Sequence, residues 1–256
     1  MSRPGSPHRQ PSGRGARTGI GGGDHIARLC GPQAGYASRV DSDQPGDGGA
    51  LTDLTSTSGY AEQAAVLGRR YERVTFEAAF GTFLPYLPVP PCRVADIGAG
   101  TGRDAAWLAA RGYQVTAVEP VPEMRAAARR LHPDANVRWI DDALPALGKL
   151  SGEFGLIQLR AVWMHLDAGE RACALPRVAA LLAEGGRVIL TLRRGPVPAG
   201  RRMFDVAPEE IIDAGAAWGL ALLHRGHVAD TLGRAEVTWT NLVLEQTRPD
   251  RGLFCG

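Results

Sequence analysis

The chain has 256 residues, 44% of them hydrophobic, and a formal net charge of +2. That length supports one full core, and a charge so near zero gives no general argument for a nucleic-acid or membrane partner. No apolar run reaches the roughly 18 residues of a membrane span, no hydrophobic signal segment follows the basic start, and Cys30, Cys92, Cys173 and Cys255 lack C-x-x-C spacing. Neither a zinc site nor a disulfide framework is indicated, and a reducing, cytoplasmic setting fits.

Residues 1–58 are rich in Gly, Pro, Ser and Arg and poor in large apolar residues, so they read as a disordered extension, with an over-extended gene start as one explanation. Folded sequence is expected over 59–248, with a flexible tail at 249–256. The segment "YAEQAAVLGRRYERVTFEAAFGTFLPYL" has helical spacing that ends at the prolines from Pro85 onward. Strands are then expected at 93–97, 113–119, 137–141, 155–160 and 187–193, with helices at 102–111, 122–131 and 168–183. Alternation of this kind predicts a parallel sheet covered on both faces. After a helix from Pro208 to about residue 218, two closely spaced strands, 220–225 and 236–245, predict an antiparallel pair at the end of the sheet.

The chemistry-bearing stretch is "VADIGAGTGRDAAWLAARGYQVTAVEP", residues 94–120. Asp96 closes the first strand, Gly98, Gly100 and Gly102 form the turn, and Glu119 closes the second strand. In a doubly wound sheet these positions fall at the carboxyl edge, where ligands bind. A carboxylate in the position of Glu119 can accept hydrogen bonds from both hydroxyls of a ribose. The dinucleotide fingerprint G-x-G-x-x-G fails, because its third glycine position is Arg103.

The pattern D-x-G-x-G-x-G followed by an acid at the end of the next strand resembles motifs I and II of the class I S-adenosylmethionine-dependent methyltransferases, from about Tyr60 to Glu245. The resemblance implies an α/β, Rossmann-like, doubly wound seven-stranded sheet, mostly parallel, with the antiparallel pair at its C-terminal end. It implies S-adenosylmethionine as cofactor. Gly98, Ala99, Gly100 and Gly102 would line its methionine and ribose part, Asp96 would sit by the amino group, and Glu119 would hold the ribose. Asp141 or Asp142 would bind adenine together with a neighbouring N–H. Asp142 is preferred because Ala143 and Pro145 then fall in the "DA-x-P" register of "WIDDALP". Tyr60, Arg70 and Tyr71 lie on an N-terminal helix that covers the cofactor in many such enzymes, with Tyr60 a candidate contact to the methionine end.

The acceptor side is expected in the loop after the fourth strand, "LIQLRAVWMHLD". It lacks the D/N/S-P-P-Y/F sequence of amino-methylating nucleic-acid enzymes. His165 is the candidate base or substrate ligand. Arg160 either holds an anionic substrate or pairs with an acid such as Asp142. Arg193, Arg194, Arg201 and Arg202 surround a Pro/Gly-rich turn and suit a carboxylate, a phosphate or an RNA backbone. They are weighed against an arginine-biased composition, since Lys149 is the only lysine among the 29 basic residues. These residues indicate methyl transfer to a small metabolite, an anionic one among the candidates. Transfer-RNA or protein methylation and a non-catalytic binding module stand as alternatives; no metal or membrane is expected.

Overall fold

A computed structural model describes residues 55–61, 68 and 71–247. The reading of 1–58 as an extension, apart from 55–58, and of 249–256 as a tail lies outside those residues, as does Arg70. Seven strands form one sheet in the order β3-β2-β1-β4-β5-β7-β6. They are β1 (Arg93–Ile97), β2 (Gln114–Val118), β3 (Val137–Ile140), β4 (Phe154–Leu159), β5 (Leu182–Arg194), β6 (Leu220–Ala229) and β7 (Thr238–Gln246). The first five are mutually parallel, and β7 inserts between β5 and β6, antiparallel to both.

Alternation of side chains along each strand divides the core into two layers. Ala95 and Ile97, Ile157 and Leu159, Leu190 and Leu192, and Leu242 and Leu244 pack on one face, with Ala174, Leu175 and Val178 of a helix. Val94, Leu156, Ile189 and Val243 pack on the other, under Phe76, Phe80, Phe83 and Leu108. The helices are α1 (Phe76–Phe80), α2 (Arg103–Ala109), α3 (Pro122–Leu131), α4 (Ala168–Leu181) and α5 (Pro208–Ala216). At the start of α4, Asp167 accepts from Glu170 N–H while the Glu170 carboxylate accepts from Asp167 N–H. This reciprocal cap satisfies two donors that the first helical turn leaves without intrahelical partners.

β6 runs to Ala229, four residues past its expected end, and two further departures from the periodicity have a visible cause. The single helical run expected up to the prolines is interrupted: Thr75 accepts from Ala78 N–H and starts α1 anew, and a 3₁₀ turn over Gly81–Tyr86 takes in Pro85. β5 begins five residues early, running through Gly185 and Gly186, where the register against β4 shifts. Gly185 has φ +68°, and a Cβ on Gly186 would lie 2.8 Å from the Phe154 carbonyl oxygen, so these glycines form an irregularity within the strand. Cys92 is a free thiol. Among the described residues no helix is long and apolar enough to cross a membrane, and no cluster of His, Cys, Asp and Glu could hold a metal.

Candidate active site

The turn from β1 into α2 is built by left-handed glycines: Gly98, Gly100 and Gly102 have φ of +73°, +56° and +76°. Their surroundings differ. A Cβ on Gly98 would collide with Val162 Cγ2, and one on Gly102 would meet the Trp139 ring at 3.0 Å, whereas one on Gly100 would find only the Met124 methyl at 3.5 Å. Gly102 therefore caps α2 and packs on Trp139. Although expected to line the ligand site, it is not among the residues lining the adjacent cavity, which has a volume of about 350 Å³.

That cavity brings together the other predicted residues: Tyr60, Asp96, Gly98, Ala99, Gly100, Glu119, Asp142, Ala143, Arg160 and His165. Glu119 is 6% exposed and clamps the loop, accepting from Gly100 N–H at 2.8 Å and from Val121 N–H at 3.0 Å. Burial raises its pKa against the opposing effect of those two bonds. An ionised carboxylate offers about four acceptor sites, so about two remain on Glu119. Asp96 lies beneath the turn with Oδ2 unpartnered. Burial first, then repulsion from Asp104, pushes its pKa up to about 7.

Asp142 organises its own loop. Its oxygens accept from the N–H groups of Ala143 at 2.9 Å, Lys149 at 2.7 Å and Leu150 at 3.1 Å. The Ala143 N–H, expected to face an adenine, is thereby turned onto Asp142. The neighbouring Asp141 pairs with Arg125.

Arg160 pairs with Asp104 at the start of α2, and not with Asp142. Asp104 also takes Arg103 Nε at 2.8 Å. Burial opposes its charge, but Arg160 and Arg103 outweigh burial and hold the carboxyl below the usual range. Arg103 further donates to the carbonyls of Tyr71 and Val74, and Thr101 to Glu72, tying the 71–74 segment to the glycine turn. Asp104 escaped the sequence reading, although an acid in the first helical turn after three glycines is a visible signal.

After β4 the chain turns sharply through Ala161, whose φ of +54° is unusual outside glycine and whose N–H donates to Thr191 Oγ1 at 2.9 Å. The 3₁₀ turn Trp163–His165 follows and buries His165 to 7% exposure. His165 Nδ1 lies 2.7 Å from the Arg202 carbonyl oxygen, and Nε2 lies 3.1 Å from the Tyr60 hydroxyl. A carbonyl accepts only, so Nδ1 carries the proton of the neutral ring and Nε2 accepts from Tyr60. Burial lowers the His165 pKa, the Arg202 carbonyl opposes this, and the guanidinium groups of Arg201, Arg193 and Arg202 lower it further. The Tyr60 hydroxyl is thus turned to His165, and the Arg201 guanidinium lies over its ring at 3.5 Å.

The arginine segment is largely tied down. Arg194 pairs with Asp205, and Arg202 with Asp167 and Glu170. Arg193 and Arg201 line the cavity, as do Asp230 and Arg234 of the β6–β7 connection, which the sequence reading missed. Asp230 accepts from Arg234, Trp239 Nε1 and two backbone N–H groups, and these bonds hold its pKa well below the carboxylate range.

Residues 94–186 match the family described as Methyltransferase domain. An uncharacterized methyltransferase of Mycobacterium tuberculosis is 34% identical over 102 residues, 40% of each chain. Over this stretch the chain is similar in sequence to methyltransferase domains. The match spans about 40% of the length of the curated relatives. The methyltransferase fold extends further. A magnesium protoporphyrin IX methyltransferase of Synechocystis, solved with bound SAM, superposes with a TM-score of 0.55 at 16% identity, covering 89% of this chain and 92% of that one. A 1,6-didemethyltoxoflavin-N1-methyltransferase of Burkholderia thailandensis superposes at 0.51 with 20% identity, covering 82% and 99%. At these identities the shared feature is the fold.

Proposed function

We propose that the domain transfers the methyl group of S-adenosylmethionine to a small-molecule acceptor. The observation that carries this is one cavity joining the Gly100–Glu119–Asp96 cradle to Tyr60 and His165. The cradle suits the cofactor in three respects. Gly100 permits close approach of a ligand, Glu119 keeps acceptor sites for two ribose hydroxyls, and the unpartnered Asp96 oxygen answers an ammonium group. Asp142 closes the adenine end through the loop it organises. When bound, the cofactor supplies an electrophilic methyl on an already activated leaving group, so positioning and exclusion of water provide much of the catalysis.

An acceptor with anionic character is favoured by the guanidinium groups of Arg193 and Arg201 on the cavity wall, and pairing of Arg194 and Arg202 with local acids argues against a polyanion such as tRNA. Calorimetric titration with S-adenosylmethionine, S-adenosylhomocysteine and NAD tests the proposal. Micromolar binding of the two sulfur nucleosides without NAD binding is expected, and NAD binding alone would refute it. Glu119→Ala is expected to weaken S-adenosylhomocysteine by about 1.5–3 kcal/mol, roughly ten- to a hundredfold, as charge-assisted hydrogen bonds are lost.

A further inference from the structure

Tyr60 and His165 are 105 positions apart in the chain, yet their hydroxyl and Nε2 meet at 3.1 Å on the cavity wall. Burial raises the Tyr60 pKa, with Tyr71 and Glu119 adding to the effect and Arg201 opposing it, so the phenol stays protonated. A phenol that donates its proton to an imidazole keeps lone pairs with which to accept another. On the far side of the ring, the Arg202 carbonyl fixes Nδ1–H. The arrangement forms a proton path from the cavity, through the Tyr60 oxygen, to His165.

We propose that Tyr60 takes the acceptor's proton while passing its own to His165, and that the acceptor group is an ionisable hydroxyl, phenolic or enolic. This rests on the methyl-transfer reading above. As the acceptor oxygen bonds to the methyl carbon, the carbon–sulfur bond breaks and its electron pair stays on sulfur. The acceptor proton moves to the Tyr60 oxygen and the Tyr60 proton to Nε2. One positive charge thus leaves the sulfonium and one appears on the imidazolium, so the total charge of the pocket is unchanged. His165 afterwards loses its proton to water, which burial and three nearby guanidinium groups favour.

The charges around the pair select the acceptor. Arg193, Arg201 and Arg202 lie near His165, a setting that repels an ammonium and favours an oxygen acquiring negative charge. A carboxylate is already ionised and needs no such path. An aliphatic alcohol holds its proton too tightly for an imidazole whose basicity burial has reduced.

The test uses the full chain with S-adenosylmethionine and four probes: phenol, 4-nitrophenol, benzoate and benzylamine. Both phenols should be methylated in preference to the other two. Tyr60→Phe keeps the ring beneath Arg201, and its S-adenosylhomocysteine affinity should stay within a few-fold of the parent. It should lower kcat on phenol by about a hundredfold and on the more acidic 4-nitrophenol much less, because an ionised acceptor has no proton to give. In the S-adenosylhomocysteine complex, without turnover, 4-nitrophenol absorbance should report ionisation at lower pH than in free solution, and both Tyr60→Phe and His165→Gln should remove that shift. Equal losses on the two phenols, an unshifted spectrum, or methylation confined to benzoate or benzylamine would overturn the proposal. Failure on all four probes with S-adenosylhomocysteine still bound would overturn the hydroxyl assignment alone. Loss of S-adenosylhomocysteine binding by the parent chain would overturn the methyl-transfer reading beneath it.

Discussion

At Asp96 a carboxyl is buried with one oxygen unpartnered and a second acid nearby, so ionisation is harder in the folded chain than in the unfolded one. Between the ordinary carboxylate range and about pH 7, the folded state retains a proton that the unfolded state has released. Stability therefore falls as pH rises through that window and levels off above it. Asp96→Asn keeps the shape and removes the titration. Thermal melts should show a flatter pH profile and, above pH 7, a gain of about 1–3 kcal/mol from removing an unsatisfied buried charge. An ammonium placed against Asp96 would favour its ionised form, so cofactor affinity should rise with pH through the same window, with proton release measurable calorimetrically in buffers of different ionisation enthalpy. The placement of Asp96, Gly100 and Glu119 at one cavity was legible because it follows from local geometry: a strand end, a turn that needs positive φ, and the end of the next strand. The partner of Arg160 was not, since Asp104 lies 56 positions away and only the pairing of β1 with β4 brings the two together.

Among the elements, the start of α4 has the widest reach. Asp167 caps the helix and also accepts from Arg202, whose carbonyl holds His165. Asp167→Ala should lower stability by about 1 kcal/mol, or about 2–4 °C in Tm. It should also raise the mobility of the 195–205 segment, measurable as faster amide exchange. Strand and helix order followed from apolar periodicity, which reports burial directly. Two details did not. The break before α1 depends on one threonine hydroxyl competing for a backbone N–H, and the early start of β5 depends on glycines that read as a turn until a neighbouring strand pairs with them. The Tyr60–His165 contact was likewise invisible, because spacing along a chain carries no record of which distant side chains share a cavity wall.

For the whole molecule, the pairing of Arg194 and Arg202 with local acids predicts how activity responds to salt. Raising salt from about 50 to about 200 mM should change turnover by less than about threefold, whereas a protein neutralising six to ten phosphates would lose about 10³–10⁵ in affinity. A steep loss would restore the tRNA reading. The close fit of Gly98 against Val162 has a further consequence for anyone redesigning acceptor choice. The 160–166 segment invites replacement by its counterpart from another domain of this fold, but it does not behave as a separable cassette. A bulkier side chain at position 162 would press on the cofactor turn, and a donor loop selected for its acceptor would arrive with a defect in nucleoside affinity. Chimeras should therefore exchange the two turns together or retain valine at 162.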